Sequence, residues 1–148
     1  YVKQRLVPFG EFLPGRDFLK SFIKRTQLIP VDFLPGSGSG SVAIDGRSLG
    51  IVICFEVADE GLVRTALSNG ENGLLVQTNN ATYVGLGQSE QQLRIAQFRA
   101  LSLGVPVYVS STTGPSAVID STGRIVQRID EGDTGVLVVG IPDAKVTA

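Results

Sequence analysis

The sequence has no histidine and a single cysteine, Cys54. One cysteine cannot form a disulfide within the chain, and one cysteine without histidine cannot supply the ligands of a typical zinc site. The lack of histidine also excludes a Cys–His dyad or a Ser–His–Asp triad built from this chain alone. If Cys54 is a nucleophile, its base must be a carboxylate or a lysine, or must come from outside the chain.

The chain also has little net charge and no long apolar run. Its formal net charge is −1 and its pI is about 5.4, so we expect no nucleic-acid partner. Its apolar runs are far shorter than the roughly 18 residues of a membrane-spanning helix. No signal peptide is visible, and the chain opens on Tyr1 without a methionine. We therefore expect a piece cut from a longer polypeptide.

The segment Leu49–Glu56 combines a β-branched run with the cysteine and a carboxylate. The run favours a buried strand, and residues 57–67 favour a helix, so Cys54 is expected near a strand-to-helix turn. Backbone N–H groups at a helix start favour a thiolate, which makes Cys54 a candidate nucleophile. The alternative is a buried cysteine that serves only as a small hydrophobe, the commoner role of a lone cysteine.

Strands and helices are predicted to alternate along the rest of the chain. Besides residues 57–67, helices are predicted at Arg16–Gln27, which is amphipathic, and at Gly87–Leu103, which Gly104 and Pro106 end. Strands are predicted at Ser41–Ile44 and Arg47–Cys54 around an Asp45-Gly46 turn, and at Gly73–Thr78, Pro106–Ser110, Ser116–Asp120, Arg124–Ile129 and Gly135–Ile141. This pattern predicts an α/β fold with a mixed sheet and one sizeable core.

Polar residues outside the cysteine segment are weaker candidates. Asn79 and Asn80 follow an inner strand, where ligand sites occur in α/β sheets, but they are also ordinary turn residues. Glu11 lies in an apolar loop, which suggests that it is kept there for a partner. The basic residues of the Arg16–Gln27 helix could touch lipid headgroups, although packing against the domain is favoured.

Several of these segments resemble the nitrilase-like domain of the apolipoprotein N-acyltransferase family. The opening, Tyr1–Pro14 with its Leu-Val-Pro-Phe-Gly-Glu string, resembles the lysine segment of that family. Ile53-Cys54-Phe55-Glu56 resembles its nucleophile segment, where Cys-Tyr-Glu is frequent. Asn79-Asn80-Ala81, Gln97–Ala100 and Thr113–Asp120 match in the same order. The resemblance covers nearly the whole chain, although Lys with Cys-x-Glu is shared by the wider nitrilase superfamily.

The resemblance implies a partial α-β-β-α sandwich with a Glu–Lys–Cys triad and no cofactor. Cys54 would be the nucleophile, and Lys3 would stabilise negative charge on the sulfur and the developing oxyanion. Glu11 and Glu56 match further glutamates near the family's site, and Asn79 and Asn80 would support it or bind substrate. Phe55 is also expected among the supporting or substrate-binding residues; it stands where tyrosine is usual, so any hydrogen bond from that hydroxyl is lost. The general-base glutamate is expected before Tyr1.

The implied reaction is ping-pong acyl transfer at the outer face of the cell membrane. The acyl donor would be a phospholipid and the acceptor the N-terminal amine of a lipid-modified lipoprotein. Residues 1–148 would form the C-terminal portion of the catalytic domain, without its first part and its spanning region. We expect this piece to be inactive alone, and to self-associate through the sheet face that truncation bares.

Two alternatives remain open. A nitrilase-type amidohydrolase would use the same covalent chemistry with water as acceptor. A fragment without catalytic activity, acting only in binding, is the other.

Overall fold

The computed structural model describes residues 1–8, 10–15 and 32–143. The helix predicted at Arg16–Gln27 lies outside the described residues. The chain divides into two compact units, one of Val2–Gly38 and one of Tyr1 with Ser39–Ala148.

A six-stranded mixed sheet forms the frame of the larger unit, with its strands side by side in chain order. Strands β2, β3 and β4 are parallel to one another, and the other neighbouring pairs are antiparallel. The strands are β1 Gly40–Ile44, β2 Arg47–Ile53, β3 Gly73–Thr78, β4 Val107–Ser111, β5 Ser116–Ile119 and β6 Ile125–Ile129. This arrangement confirms the predicted α/β fold with a mixed sheet. The described residues contribute one sheet, so they do not by themselves complete a two-sheet sandwich.

Two helices make the connections between the parallel strands. Helix α1, Glu60–Ala66, joins β2 to β3, and α2, Gln88–Leu103, joins β3 to β4. Helix α2 ends as predicted, because Gly104 takes the left-handed conformation at φ 65° and its N–H bonds the Ala100 carbonyl. Short 3₁₀ turns lie at Cys54–Ala58 and Ala81–Tyr83. Among the described helices, none is long and apolar enough to span a bilayer.

The prediction of one continuous helix over residues 57–67 is wrong. The chain makes the 3₁₀ turn first and then breaks at Asp59, whose backbone is extended at φ −83° and ψ 103°. The Asp59 carboxylate accepts the Leu62 N–H at 3.1 Å and so caps the start of α1. Aspartate favours such caps over helix interiors because its short side chain competes for backbone N–H groups.

Both helices pack on the same face of the sheet. Every second residue of the inner strands points to this face, as the two-residue period of a strand requires. The core there contains Val52, Leu74, Val76, Val107 and Val109 from the strands with Val63, Ala66, Leu93, Ala96 and Ala100 from the helices. Complete burial of a side chain such as Leu74 contributes about 1.5–3 kcal/mol to the free energy of folding. The packed layer therefore holds the strands, and with them the strand ends, in place.

The opposite face carries a smaller cluster, and it explains why the predicted last strand is wrong. Residues 135–141 pair with no strand of the described chain. Instead, Leu137 and Ile141 pack against Leu49, Tyr108 and Val118 on this face. A β-branched run favours an extended backbone. Here, however, the apolar side chains of the segment pack on a face of the sheet, and its backbone does not pair with an edge strand.

The smaller unit is irregular in its described residues, as the two Pro and two Gly in its opening predict. Backbone bonds from Gly36 to the Lys3 carbonyl, 2.8 Å, and from Phe33 to the Glu11 carbonyl, 3.0 Å, hold it together. The Asp32 carboxylate accepts the Leu13 N–H at 2.9 Å.

Candidate active site

Cys54 lies directly after β2, in the first position of the 3₁₀ turn Cys54–Ala58, which we call the Cys54 turn. Its φ is 57°, in the left-handed region that residues other than glycine rarely adopt. The only other such residue in the described ranges is Asp45, in the hairpin turn. Such a conformation costs on the order of 1–3 kcal/mol and persists only where surrounding contacts enforce it. Cys54 is partly exposed, unlike a cysteine that serves only as a core hydrophobe.

Glu56 supplies one of those enforcing contacts from inside the turn. Its side chain is completely buried. One carboxylate oxygen, Oε2, accepts the Ile53 N–H at 2.8 Å and the Tyr1 hydroxyl at 3.0 Å. The carboxylate therefore ties the backbone just before Cys54 to the residue two positions after it. Glu56 faces the interior, whereas Phe55 between them is 57% exposed.

The two asparagines leave the sheet at the same end as Cys54. Strands β2 and β3 are parallel, and Ile53 pairs with Gln77, so the residues after both strands emerge together. Asn79 stabilises the loops around it, because its Oδ1 accepts the Ala81 N–H at 3.1 Å and the Thr112 hydroxyl at 3.0 Å. This is the ordinary turn role that the sequence left open.

Asn80 is buried, in contrast to Asn79. Its Oδ1 accepts the Thr78 hydroxyl at 2.7 Å. A Cβ built on Gly114 would meet the Asn80 Nδ2 at 2.6 Å, so Gly114 is required to leave room for this amide. Sequence analysis missed Gly114 because the close approach joins loops after two different strands.

Lys3 and Glu11 form an ion pair within the smaller unit. The Lys3 ammonium donates to both Glu11 carboxylate oxygens, at 2.7 Å and 2.8 Å. The Glu11 Oε2 also accepts the Val7 N–H at 2.7 Å. The Lys3 side chain is only 10% exposed. Charge-assisted bonds at both oxygens fix the ammonium, and Glu11 thus has the partner that its apolar loop suggested.

Arg99 is a further residue near the Cys54 turn; sequence analysis included it in the matching segment Gln97–Ala100 but assigned it no role. Its buried guanidinium donates to the Val57 carbonyl at 3.0 Å and to the Ala58 carbonyl at 2.7 Å. It also reaches Glu60 at 3.3 Å. The pKa of the exposed Glu60 carboxyl is lowered, chiefly by the hydrogen bond and charge of Arg64 and less by Arg99.

The described side chains at these positions offer a thiol, an amine, carboxylates and amides. Within residues 1–8, 10–15 and 32–143, no three acidic or cysteine side chains cluster closely enough to hold a metal ion. A thiol at a strained turn with buried hydrogen-bonding groups behind it suits nucleophilic attack on a carbonyl.

Comparison with known proteins shows which family the chain belongs to. All of residues 1–148 match the family model described as carbon-nitrogen hydrolase. The chain belongs to the carbon–nitrogen hydrolase family.

This member of the family is similar to curated proteins named apolipoprotein N-acyltransferase. It is 36% identical over 138 residues to the one from Photobacterium profundum, covering 93% of this chain and 27% of that protein. It is 39% identical over 131 residues to the one from Mycolicibacterium smegmatis, covering 86% of this chain and 21% of that protein. The chain thus spans about a quarter of the length of these relatives.

Solved structures show that the fold of this chain is similar to that of an amidase described as belonging to the nitrilase superfamily. An amidase of that superfamily from Nesterenkonia AN1 superposes with a TM-score of 0.60 at 24% identity, over 76% of this chain and 45% of the amidase. A glutamine-dependent NAD⁺ synthetase from Acinetobacter baumannii gives a TM-score of 0.63 at 18% identity, over 90% of this chain and 24% of the synthetase. These likenesses support the fold alone.

Proposed function

We propose that this chain is part of an apolipoprotein N-acyltransferase, with Cys54 as its nucleophile. The observation that carries the proposal is the partly exposed thiol in a left-handed turn whose backbone, at Ile53, is bonded by the buried Glu56 carboxylate. The names of the relatives at 36% and 39% identity support the choice of acyl transfer within the family.

The first half-reaction forms a thioester on Cys54. The thiolate attacks the acyl ester carbonyl of a phospholipid, so that a carbon–sulfur bond forms and the ester carbon–oxygen bond breaks. The lysophospholipid alkoxide takes up the proton that the general base removed from the Cys54 thiol, and the lysophospholipid leaves. In the second half-reaction, the N-terminal amine of a lipid-modified lipoprotein attacks the thioester, an amide bond forms, and the thiolate is released. The amine's proton passes to the general base.

The remaining residues divide this work between charge stabilisation and positioning. Lys3 is proposed to stabilise negative charge on sulfur and on the oxyanion, as a preorganised cation does. Glu11 would hold the Lys3 ammonium through the two bonds of 2.7 Å and 2.8 Å. Glu56 would fix the Cys54 turn, and Asn80 would support the neighbouring loop. The general-base glutamate is expected outside residues 1–148.

The proposed substrates are lipids, so the protein would act at the cell membrane, with this domain on the extracytoplasmic face. A spanning region outside residues 1–148 would attach it there. Isolated residues 1–148 would self-associate, because the described part of the chain leaves large apolar side chains exposed, among them Val136 and Val138.

The proposal is tested by acyl transfer in the full-length polypeptide that carries this chain. The purified protein in detergent is given a phospholipid with a labelled acyl chain and a diacylglyceryl lipopeptide as acceptor. We expect N-acylated lipopeptide from the wild type and from Phe55→Tyr, which restores the family's usual residue, and none from Cys54→Ala. Ammonia released from small amides without lipopeptide acylation would contradict the proposal and favour an amidohydrolase.

A further inference from the structure

The strained Cys54 turn needs contacts at both of its ends. Glu56 holds the first end by accepting the Ile53 N–H at 2.8 Å. At the other end, the last carbonyls of a helical turn have no partner within the turn and must find one elsewhere. The Val57 side chain is completely buried, so water is a poor substitute partner there.

Arg99 supplies those partners from helix α2. Its Nε donates to the Val57 carbonyl at 3.0 Å and its terminal nitrogen Nη2 to the Ala58 carbonyl at 2.7 Å. The guanidinium fork is planar, so two bonds to two adjacent carbonyls fix the orientation of the backbone as well as its distance. A lysine ammonium, with a single nitrogen, cannot reproduce this geometry.

Helix α2 is a rigid base for this contact. Leu93, Ala96 and Ala100 on α2 lie in the main core with the inner strands. Arg99 itself is 7% exposed. Because α2 is fixed in the core, Arg99 holds the far end of the Cys54 turn in a defined position. Arg99 and Val57 are 42 residues apart in the sequence.

We propose that Arg99 is a positioning residue for the Cys54 nucleophile, which it orients through the carbonyls of Val57 and Ala58. The role proposed for Arg99 is thus indirect and runs through the backbone of the turn. Its third contact, to Glu60 at 3.3 Å, involves a carboxylate that is largely exposed and contributes little, as surface ion pairs usually do. The kinetic part of this inference rests on the proposed acyl transfer, whereas the reactivity of the thiol does not.

The test compares Arg99→Lys and Arg99→Gln with two matched controls in the full-length polypeptide. Arg64→Gln removes an exposed arginine that bonds Glu60 from helix α1, and Glu60→Gln removes the exposed carboxylate that Arg64 and Arg99 share. The first readout is the rate of Cys54 alkylation by iodoacetamide between about pH 6 and pH 9, which reports thiolate availability. The second is kcat and KM for acyl transfer, and the third is the melting temperature.

We expect both Arg99 variants to change the pH profile of alkylation and to lower kcat by roughly a hundredfold, with KM nearly unchanged, because a misplacement of about 1 Å at a reacting group has that effect. Both controls should stay within about twofold of the wild type. If the wild type shows no acyl transfer, the proposed function fails, but the alkylation profiles still decide the role of Arg99.

Two results would overturn the inference. The first is an Arg99→Lys or Arg99→Gln protein that folds and keeps the wild-type alkylation profile. The second is failure of both variants to fold, which would give Arg99 a purely structural role.

Discussion

Replacement of Glu56 by alanine should loosen the backbone around Cys54 without unfolding the domain. The carboxylate accepts the Ile53 N–H at 2.8 Å and the Tyr1 hydroxyl at 3.0 Å. A hydrogen bond to a charged group contributes about 1.5–3 kcal/mol. Alanine removes the acceptor for both bonds, so the free energy of opening the Cys54 turn should fall by about 3 kcal/mol, which is about a hundredfold in the opening equilibrium.

Hydrogen exchange measured by mass spectrometry on the full-length polypeptide reports this change directly. Peptides that contain the Ile53 amide should exchange about a hundredfold faster in Glu56→Ala, because exchange follows the local opening equilibrium. Tyr1→Phe removes one of the two bonds and should give a smaller increase, on the order of tenfold. The melting temperature is measured in parallel to separate local from global loss.

Glu71→Gln is the matched control, because Glu71 is also completely buried but bonds Asn69, in the turn before β3. This variant should leave exchange at the Ile53 amide unchanged. The reasoning is refuted if Glu56→Ala exchanges there within about twofold of the wild type, since the carboxylate would then not hold the turn.

Three further outcomes follow from the structure. Gly50→Ala places a Cβ 2.3 Å from a backbone oxygen of α1, so it should destabilise the domain by about 1–3 kcal/mol in urea unfolding; wild-type stability would contradict this packing. Glu11→Gln weakens the hold on Lys3 and should lower acyl transfer about tenfold in the labelled-phospholipid assay; unchanged kcat would count against a role for the pair. Asp120 has a pKa of about 2, below its ordinary 3.8, chiefly because the Thr122 hydroxyl donates to it. A lowered carboxyl pKa gives stability that is complete above about pH 4 and is lost as pH falls toward 2, so Thr122→Val should raise the pKa seen in a carboxyl NMR titration; an unmoved titration would refute that cause.

The hairpin and the helix end were predictable from local sequence because backbone chemistry decides them. Asp45-Gly46 forms a turn whose two residues both have positive φ, 47° and 76°, which few other pairs adopt. Gly104 ends α2 for the same reason. The strand at Gly73–Thr78 was predicted with its observed bounds, because Gly73 precedes the apolar run 74–76 and Asn79-Asn80 follows the strand.

The sequence could not predict features that depend on residues far apart in the chain. Whether the run at 135–141 pairs at an edge or packs on a face is decided by Leu49, Tyr108 and Val118. The hydrogen bond from Arg99 to the Val57 carbonyl produces no periodic pattern in the sequence either. The catalytic roles of Cys54, Lys3, Glu11, Glu56, Asn79 and Asn80 remain predictions from the resemblance.

Trapping the acyl-enzyme tests the central claim most directly. The full-length polypeptide is incubated with a phospholipid and no acceptor, then digested, and the peptide that contains Cys54 is weighed by mass spectrometry. We predict a mass increase of one acyl chain on Cys54 that neutral hydroxylamine removes, that Lys3→Ala strongly reduces, and that the lipopeptide acceptor discharges. An active enzyme whose Cys54 never carries an acyl group, or that retains its activity as Cys54→Ala, would contradict the account.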